Sequence, residues 1–494
     1  MIMYDLKPYL DKIDAVIAQG PYTDQWSSLS AYTVPEWYMA AKFGIFIHWG
    51  VFSVPAFANE WYSRNMYIEG SPEFEHHIKT YGRHADFGYK DFIPMFKAER
   101  FDPDEWAKVI KASGAKYVVP VAEHHDGFQM YKSEISRWNA FEKGPCRDIL
   151  GELKASCEAL GITMGVSSHR AEHWFFMDGG KRFDSDIREP LHRGDFYWPS
   201  MPSPDDQHDI FSEPAPNEEY LQDWLVRTCE LTDQYRPKLI YFDWWIQHIA
   251  FKPYLKKFAA YYYNRAHEWD SDAVINYKHD SFMFGTAVPD VERGQFAERK
   301  PFFWQTDTAV AYNSWCHTEN NNYRSPVDIV CDLIDIVSKN GCMLLNIGPR
   351  ADGTIPDEDK SILLEIGKWL EINGEAIYNS NLWRRSAEGP TEIPEGQFTD
   401  GIKREFTSQD IRFTIANGYL YATVLKHSDN GKYVIKSLSL QSASQRVDFC
   451  GVINDVTVLG TKSKPKWERL SDGLHIETDY ANGDYPIVFR IEID

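Results

Sequence analysis

The sequence predicts a (β/α)8-like (TIM-type) barrel followed by a C-terminal antiparallel β-sandwich. Three observations carry this. Between about residues 40 and 375, short apolar runs rich in β-branched residues alternate with longer runs of helical period, the rhythm of a parallel α/β fold. Polar residues gather at the C-terminal ends of several of those runs, the face on which a barrel carries its site. After about residue 380 the pattern changes to period-two runs separated by turn residues. The domains are therefore placed at 1–380 and 381–494.

The run 42–48 (KFGIFIH) is the first strand and ends on His48. Residues 102–113 form a helix, with Asp102 and Pro103 in the cap and first-turn positions. The run 116–122 (KYVVPVA) is the second strand, 148–160 a helix, and 162–168 (ITMGVSS) the third strand. A long amphipathic helix at 217–235 leads into the fourth strand, 239–243 (LIYFD). Helix 254–269, strand 273–277, a short strand 302–305, helix 327–339, strand 343–347 and helix 357–373 complete the series. About seven strands stand out, against the eight of a closed barrel. A doubly wound sheet is the alternative, but no G-x-G-x-x-G follows an early strand. Segments 50–100 and 170–216 are too long for simple connections, and long loops on one barrel face carry function. Residues 386–401, with Pro and Gly, read as a linker. Beyond it, Asn417-Gly418 between alternating runs in 411–425 marks a hairpin. Further strands are expected at 433–440, 447–459, 475–478 and 487–493.

Bulk properties exclude several classes. A formal net charge of −21 leaves no basic surplus for nucleic acid or anionic membranes. No run approaches the roughly 18–20 apolar residues of a membrane span. The N-terminus lacks a basic region followed by an apolar stretch, so no secretory signal is predicted. The 7 cysteines are scattered without a Cys-x-x-Cys, which favours reduced thiols over a zinc site or a disulfide framework. The expectation is a cytoplasmic protein with a small-molecule partner; a homo-oligomer is left open.

The stretch 238–246 (KLIYFDWWI) delivers one carboxylate, Asp243, to a strand tip among Tyr241, Phe242, Trp244 and Trp245. Aromatic faces stack on sugar C–H surfaces, although a strand-end Asp also caps helices. Four further polar motifs lie at or just beyond strand ends: His48-Trp49-Gly50, Asn59-Glu60-Trp61-Tyr62, the run 123–128 (EHHDGF), and Ser167-Ser168-His169-Arg170. Neutral imidazoles and indole N–H groups suit hydroxyls that both donate and accept. Adjacent residues on a strand point to opposite faces, so His124 and His125 share a metal only across a bend. No H-E-x-x-H helix occurs, and no metal or cofactor is expected. A glycosidase needs a second carboxyl group. After the fifth strand Glu292, Glu298 and Glu319 are available. Glu292, in a loop ahead of a buried strand, is taken as acid/base; Glu298, beside Arg299 and Lys300, reads as a solvated ion pair.

Together, 42–50 (KFGIFIHWG), Glu60-Trp61-Tyr62, 123–128, the strand ending in Asp243, and 344–356 (LLNIGPRADGTIP) resemble the α-L-fucosidases of glycoside hydrolase family 29. The resemblance runs from about residue 36 to 380, with the motifs in the family's order. It implies a retaining exo-hydrolase of terminal α-L-fucose working through a covalent fucosyl-enzyme, without metal or cofactor. On the matching positions, Asp243 is the nucleophile, and His48, Glu60, Trp61, His124 and His125 contact the sugar. Tyr241 stands where the family often has Trp, His169 near where it often has Tyr, and Lys278 is the cation nearest to where many members have Arg. These three and Trp244 complete the expected sugar-binding set. The alternatives are another retaining exo-glycosidase, such as one acting on a galactoside, or a catalytically silent sugar-binding protein.

Overall fold

A computed structural model of the chain describes residues 4–440 and 448–494. Nine parallel strand segments build one closed sheet: β1 (Phe43–Ile47), β2 (Tyr117–Glu123), β3 (Thr163–Met164), β4 (Val166–Ser168), β5 (Leu239–Phe242), β6 (Val274–Tyr277), β7 (Val288–Glu292), β8 (Trp304–Ala309) and β9 (Gly341–Ile347). Segments β3 and β4 are halves of one stave, so the barrel has eight. They part at Gly165, where a Cβ would lie 2.9 Å from the Leu239 carbonyl oxygen. Closure comes from β1, which pairs with β2 on one side and β9 on the other.

Period two decides what faces inward. Phe46, Val119, Val121, Leu239, Tyr241, Val274, Val288 and Leu344 fill the barrel as one cluster. Their neighbours Ile45, Ile47, Val118, Ile240, Ile275 and Leu345 turn outward into the main core. The surrounding helices, Pro103–Ala112, Ile149–Ala159, Glu218–Tyr235, Lys252–Glu268, Pro326–Ser338 and Asp357–Asn373, lie within two residues of the expected ones. The Asp102 carboxylate caps the first by accepting from the Asp104 and Glu105 N–H groups.

The stave missing from the sequence reading is β7. Its residues V-P-D-V-E carry a proline and two acids, which argue against a strand. They are accommodated because the inner layer is polar here: Gln305 donates to Asp290 (2.8 Å) and Lys278 to Glu292 (2.7 Å). Glu292 is thus the last residue of a stave, not a loop residue. The same polarity hid most of β8, whose Thr306 donates to the Val291 carbonyl (2.9 Å).

The C-terminal strands are β10 (Asn381–Glu388), β11 (Ile411–Ala416), β12 (Tyr419–Val424), β13 (Lys432–Ile435), β14 (Ile453–Val458), β15 (Lys466–Leu470), β16 (Gly473–Glu477) and β17 (Ile487–Ile493). They form a five-stranded antiparallel sheet, β10-β11-β12-β17-β14, and a three-stranded one, β13-β16-β15. Phe413, Leu420 and Phe489 of the first share a core with Tyr433, Ile435 and Ile476 of the second. Asn417 (φ 53°) and Gly418 (φ 83°) form the two-residue turn between β11 and β12, as the Asn-Gly pair predicts. The expected strand start at 447 lies outside the described residues. Strands β10 and β15 were not anticipated. Nor is 386–401 a plain linker: it begins inside β10, and Gln295 and Gly396 exchange backbone bonds of 3.2 and 2.9 Å. Among the described residues, no helix is long and apolar enough to cross a membrane.

Two buried ionic networks tie these parts together. On helix Pro326–Ser338, Asp335 pairs with Lys339 (2.5 Å) and with Arg412 of β11, while Asp332 pairs with Arg324 (2.5 Å) and Arg404. Beneath the barrel mouth, Arg170 bridges Glu123 (2.6 Å) and Asp223 (2.9 Å), and Arg227 contacts the same two carboxylates at 3.2 and 2.8 Å. Burial would raise Asp223, but Arg227 and Arg170 outweigh it and hold it below the ordinary range. Asp223→Ala leaves two buried guanidinium groups short of a partner and is expected to cost about 3–5 kcal/mol in chemical denaturation. The pH sign follows. The Asp223 contribution is present above the unfolded carboxyl value of about 3.9 and is lost as pH falls through the lower folded value. The difference between wild type and variant should therefore shrink in acid; a constant difference would refute the assignment.

Candidate active site

Strand ends deliver the charged groups of the site. Asp243 follows β5, Lys278 follows β6, Glu292 ends β7, and Asp307 lies within β8. The Lys278 Nζ is buried and sits 3.2 Å from Asp243 Oδ1, 2.7 Å from Glu292 Oε2 and 3.3 Å from Asp307 Oδ2. Burial alone would lower this amine; Asp307, Glu292 and Asp243 outweigh it and hold it well above its ordinary value. The Tyr241 hydroxyl donates to the same Asp307 oxygen (2.9 Å). Because they share Lys278, the nearest oxygens of Asp243 and Glu292 are at most about 5.9 Å apart, the 3.2 and 2.7 Å contacts end to end.

The two carboxyl groups are driven in opposite directions. For Asp243, burial acts upward, but Lys278, His169 and His125 hold it well below the carboxylate range. For Glu292, burial dominates, and with the charges of Asp307 and Asp243 it pushes the group up to about 7 despite Lys278. Asp290 goes well above the ordinary range through burial and the neighbouring Asp307. At neutral pH one of the two facing carboxyls is ionised and the other keeps much of its proton. This is the division of labour between a nucleophile and a general acid.

The histidines form an inner polar wall. The His169 Nδ1 lies 3.0 Å from Asp243 Oδ2, and its Nε2 lies 3.0 Å from Ser167 Oγ. Burial favours its neutral form, so it donates to Asp243. His48, also neutral through burial, places Nδ1 2.7 Å from Asn346 Oδ1 and keeps Nε2 as an acceptor. His124 is neutral for the same reason, and its buried Nδ1 has no partner among the described residues. His125 stands apart. It lies between Glu172 (3.0 Å) and Asp243 Oδ2 (3.3 Å), and these carboxylates favour its charged form against burial.

A cavity of about 340 Å³ opens at this barrel mouth. Of the expected residues, Asp243, Glu292, His48, Glu60, Trp61, His124, His169, Tyr241, Trp244 and Lys278 line it together. His125 lies just outside that lining, with Nε2 3.3 Å from Asp243 Oδ2. Glu60 also accepts the Trp315 N–H (3.1 Å), fixing another wall residue. Glu298 and Glu319 are exposed and lie off the cavity. Sequence reasoning missed Asp307, Glu172 and Trp315, single residues without a local motif, and Asn346, which sits in the 344–356 run but was given no role there. It also missed Gln397 and Phe398, which reach the cavity from beyond the barrel.

Two groups of side chains have ligand atoms close enough to hold an ion, within 4.8 Å of one another: His48, His124 and His169, and His125, His169 and Asp243. Both depend on His169, whose two nitrogens are already engaged by Asp243 and Ser167.

An eight-stave barrel with two carboxyls of opposite character facing each other at its mouth is the framework of a glycoside hydrolase. The profile of the family described as Alpha-L-fucosidase matches residues 10–375, and the chain belongs to that family. Rat tissue alpha-L-fucosidase is 31% identical, the match covering 92% of this chain and 87% of that one. The alpha-L-fucosidase of Dictyostelium discoideum is 32% identical over 75% of this chain and 77% of its own. The crystal structure of Thermotoga maritima alpha-fucosidase superposes with a TM-score of 0.74 at 29% identity, covering 95% of this chain and 100% of that one.

Lys278 lowers both facing carboxyls, so Lys278→Met should raise the titration of each. Carboxyl carbon NMR shifts in the labelled protein would report it. Glu292 should titrate above its wild-type value of about 7, and Asp243 should move upward from its depressed position. No movement, or movement downward, would show that the lysine is not their shared counter-ion.

Proposed function

We infer that the chain is a retaining, exo-acting α-L-fucosidase that releases terminal α-L-fucose from fucosides and fucosylated oligosaccharides. The observation that carries this reading is the sharing of Lys278 by Asp243 and Glu292. Retaining enzymes set their carboxyl groups about 5–5.5 Å apart and inverting ones about 6.5–9.5 Å. The bound imposed by Lys278 falls at the retaining end.

The ionised Asp243 attacks the anomeric carbon as the glycosidic bond breaks, and the departing oxygen takes the proton of Glu292. A covalent fucosyl-Asp243 ester results, with Glu292 now anionic. Water then attacks the same carbon, gives its proton to Glu292 and restores the Asp243 carboxylate. Lys278 keeps an anionic partner throughout, because negative charge appears on Glu292 as it leaves Asp243. His48 and His124 supply neutral ring nitrogens to the sugar hydroxyls, and Glu60 and Trp61 complete the wall. Phe46, Tyr241 and Trp315 make a contiguous apolar surface, with ring centroids 4.9 Å (Phe46 to Tyr241) and 6.2 Å (Phe46 to Trp315) apart. It suits the C6 methyl of fucose and favours fucose over the galactoside alternative, whose C6 hydroxyl would lose hydration there. We also propose a cytoplasmic location, which the 7 unpaired cysteines support.

Asp243→Gly should remove nearly all turnover of an aryl fucoside while the protein stays folded. Added azide should then yield β-fucosyl azide, since a small anion fits the vacated attacking face. Substantial residual activity without azide would disprove the nucleophile assignment.

Glu292→Ala should cripple hydrolysis of natural fucosides, by about 100-fold or more, and spare aryl fucosides with acidic phenols, which need little protonation. Azide should speed the aryl substrate and give α-fucosyl azide. In the wild type the proton on Glu292 is present below about 7 and lost above it. Activity should therefore fall with a basic limb near 7, and the variant should lack that limb. Glu298→Ala and Glu319→Ala serve as controls; if either shows this pattern and Glu292→Ala does not, Glu292 is not the acid.

A further inference from the structure

The cavity changes character from floor to rim. Its floor is buried and polar, with His48, His124, His169 and Lys278. Its rim is aromatic and exposed. Trp244 is half-buried and stacks on the exposed His208 at 5.2 Å, and Trp61 lies parallel to Trp244 at 6.4 Å. Phe398 completes this rim and is 64% exposed. A large apolar ring left this open has no packing role.

Phe398 is nevertheless held firmly. Its backbone φ is 56°, in the left-handed region that a phenylalanine rarely adopts. Its N–H donates to the Glu292 carbonyl (2.9 Å), and the next two N–H groups, of Thr399 and Asp400, donate to the Arg293 carbonyl (2.7 and 2.9 Å). The Asp400 carboxylate accepts from Thr308 (2.7 Å) and from Arg293 (3.2 Å). The Arg293 guanidinium in turn lies 4.3 Å from the ring centre of Trp315, a wall residue of the cavity. The segment is therefore strapped to the residue that carries the general acid.

We propose that Phe398, with Trp244 and His208, forms a leaving-group subsite that stacks on the pyranose ring bearing the fucose. This rests on the fucosidase reading and extends it to the other side of the bond. The reasoning is positional. The buried floor takes the sugar to be released, and the acid must reach the oxygen joining it to its neighbour. A ring bonded through its own backbone to that acid's backbone lies on the neighbour's side. Pyranose C–H faces are apolar and flat, which matches aromatic rims and not a charged ligand.

The test uses the full-length protein and three substrates: α-L-fucosyl fluoride, whose leaving group is one atom, p-nitrophenyl α-L-fucoside, and a fucosylated disaccharide. In Phe398→Ala the ratio of disaccharide to fluoride kcat/KM should fall about tenfold, the order expected for one lost aromatic stacking contact. The nitrophenyl substrate, which also offers a ring, should fall with the disaccharide. Phe398→Trp should keep the wild-type ratio. An unchanged ratio, or an equal loss on all three substrates, would overturn the subsite. Wild-type protein inert on all three would overturn the fucosidase reading and the subsite with it.

Discussion

One buried ammonium organises the site. Lys278 sits where water cannot solvate it, and a charge so placed costs several kcal/mol unless it is paired. Three staves answer it: β5 through Asp243, β7 through Glu292 and β8 through Asp307. Four carboxyls crowd around one cation once Asp290 is included, and they cannot all ionise. Asp243 and Asp307 keep their contacts with Lys278 and His169 or Tyr241, while Asp290 and Glu292 are pushed upward. The proton on Glu292 is thus a consequence of burial first, and then of the neighbouring charges of Asp307 and Asp243. The balance of charge also serves the reaction, because moving one negative charge from Asp243 to Glu292 leaves the total around Lys278 unchanged.

Around this centre the protein invests in rigidity. His125 holds Asp243 from behind and is itself held by Glu172, which burial pushes up to about 7. Glu123, at the end of β2 and next to His124, is pinned by two arginines, one of which follows His169 directly. The cavity-lining imidazoles of His124 and His169 therefore hang from an ionic frame set beneath the cavity. Such a frame adds little net stability compared with apolar packing, but breaking it is expensive. What it supplies is position, which sugar recognition and in-line attack both need.

The C-terminal unit is not a passive appendage. Arg412 of β11 and Arg404 reach the acidic residues of helix Pro326–Ser338, and residues 396–400 continue the backbone pairing beyond β7. The segment that docks against β7 is therefore also the one that carries Gln397 and Phe398 to the cavity rim. The cavity wall is drawn from both sides of the junction, although ten of the eleven sugar-site and catalytic residues expected from sequence that line or brace it belong to strand ends or the loops that follow them.

Much of this was legible in the chain because strand-end placement is a local property. Short buried runs fix which residues close a strand, and Asp243, His48 and His169 each follow such a run. Helix caps such as Asp102 and the Asn417-Gly418 turn are equally local, set by hydrogen bonds within a few residues. Glu292 could be nominated but its strand could not, since V-P-D-V-E looks like a strand only when Gln305 and Lys278 are present to receive its acids. Asp307, Glu172 and Phe398 carried no signal at all: each is a single residue far along the chain from what it touches. Sequence by itself determined the barrel rhythm, the aromatic strand end and the family. Which carboxyl keeps its proton, which histidine lines the cavity and which pairs with Asp243 behind it, and which ring reaches over from the sandwich were decided only by closure of the barrel. Those properties depend on burial and on distances between staves, and neither exists until the staves have met.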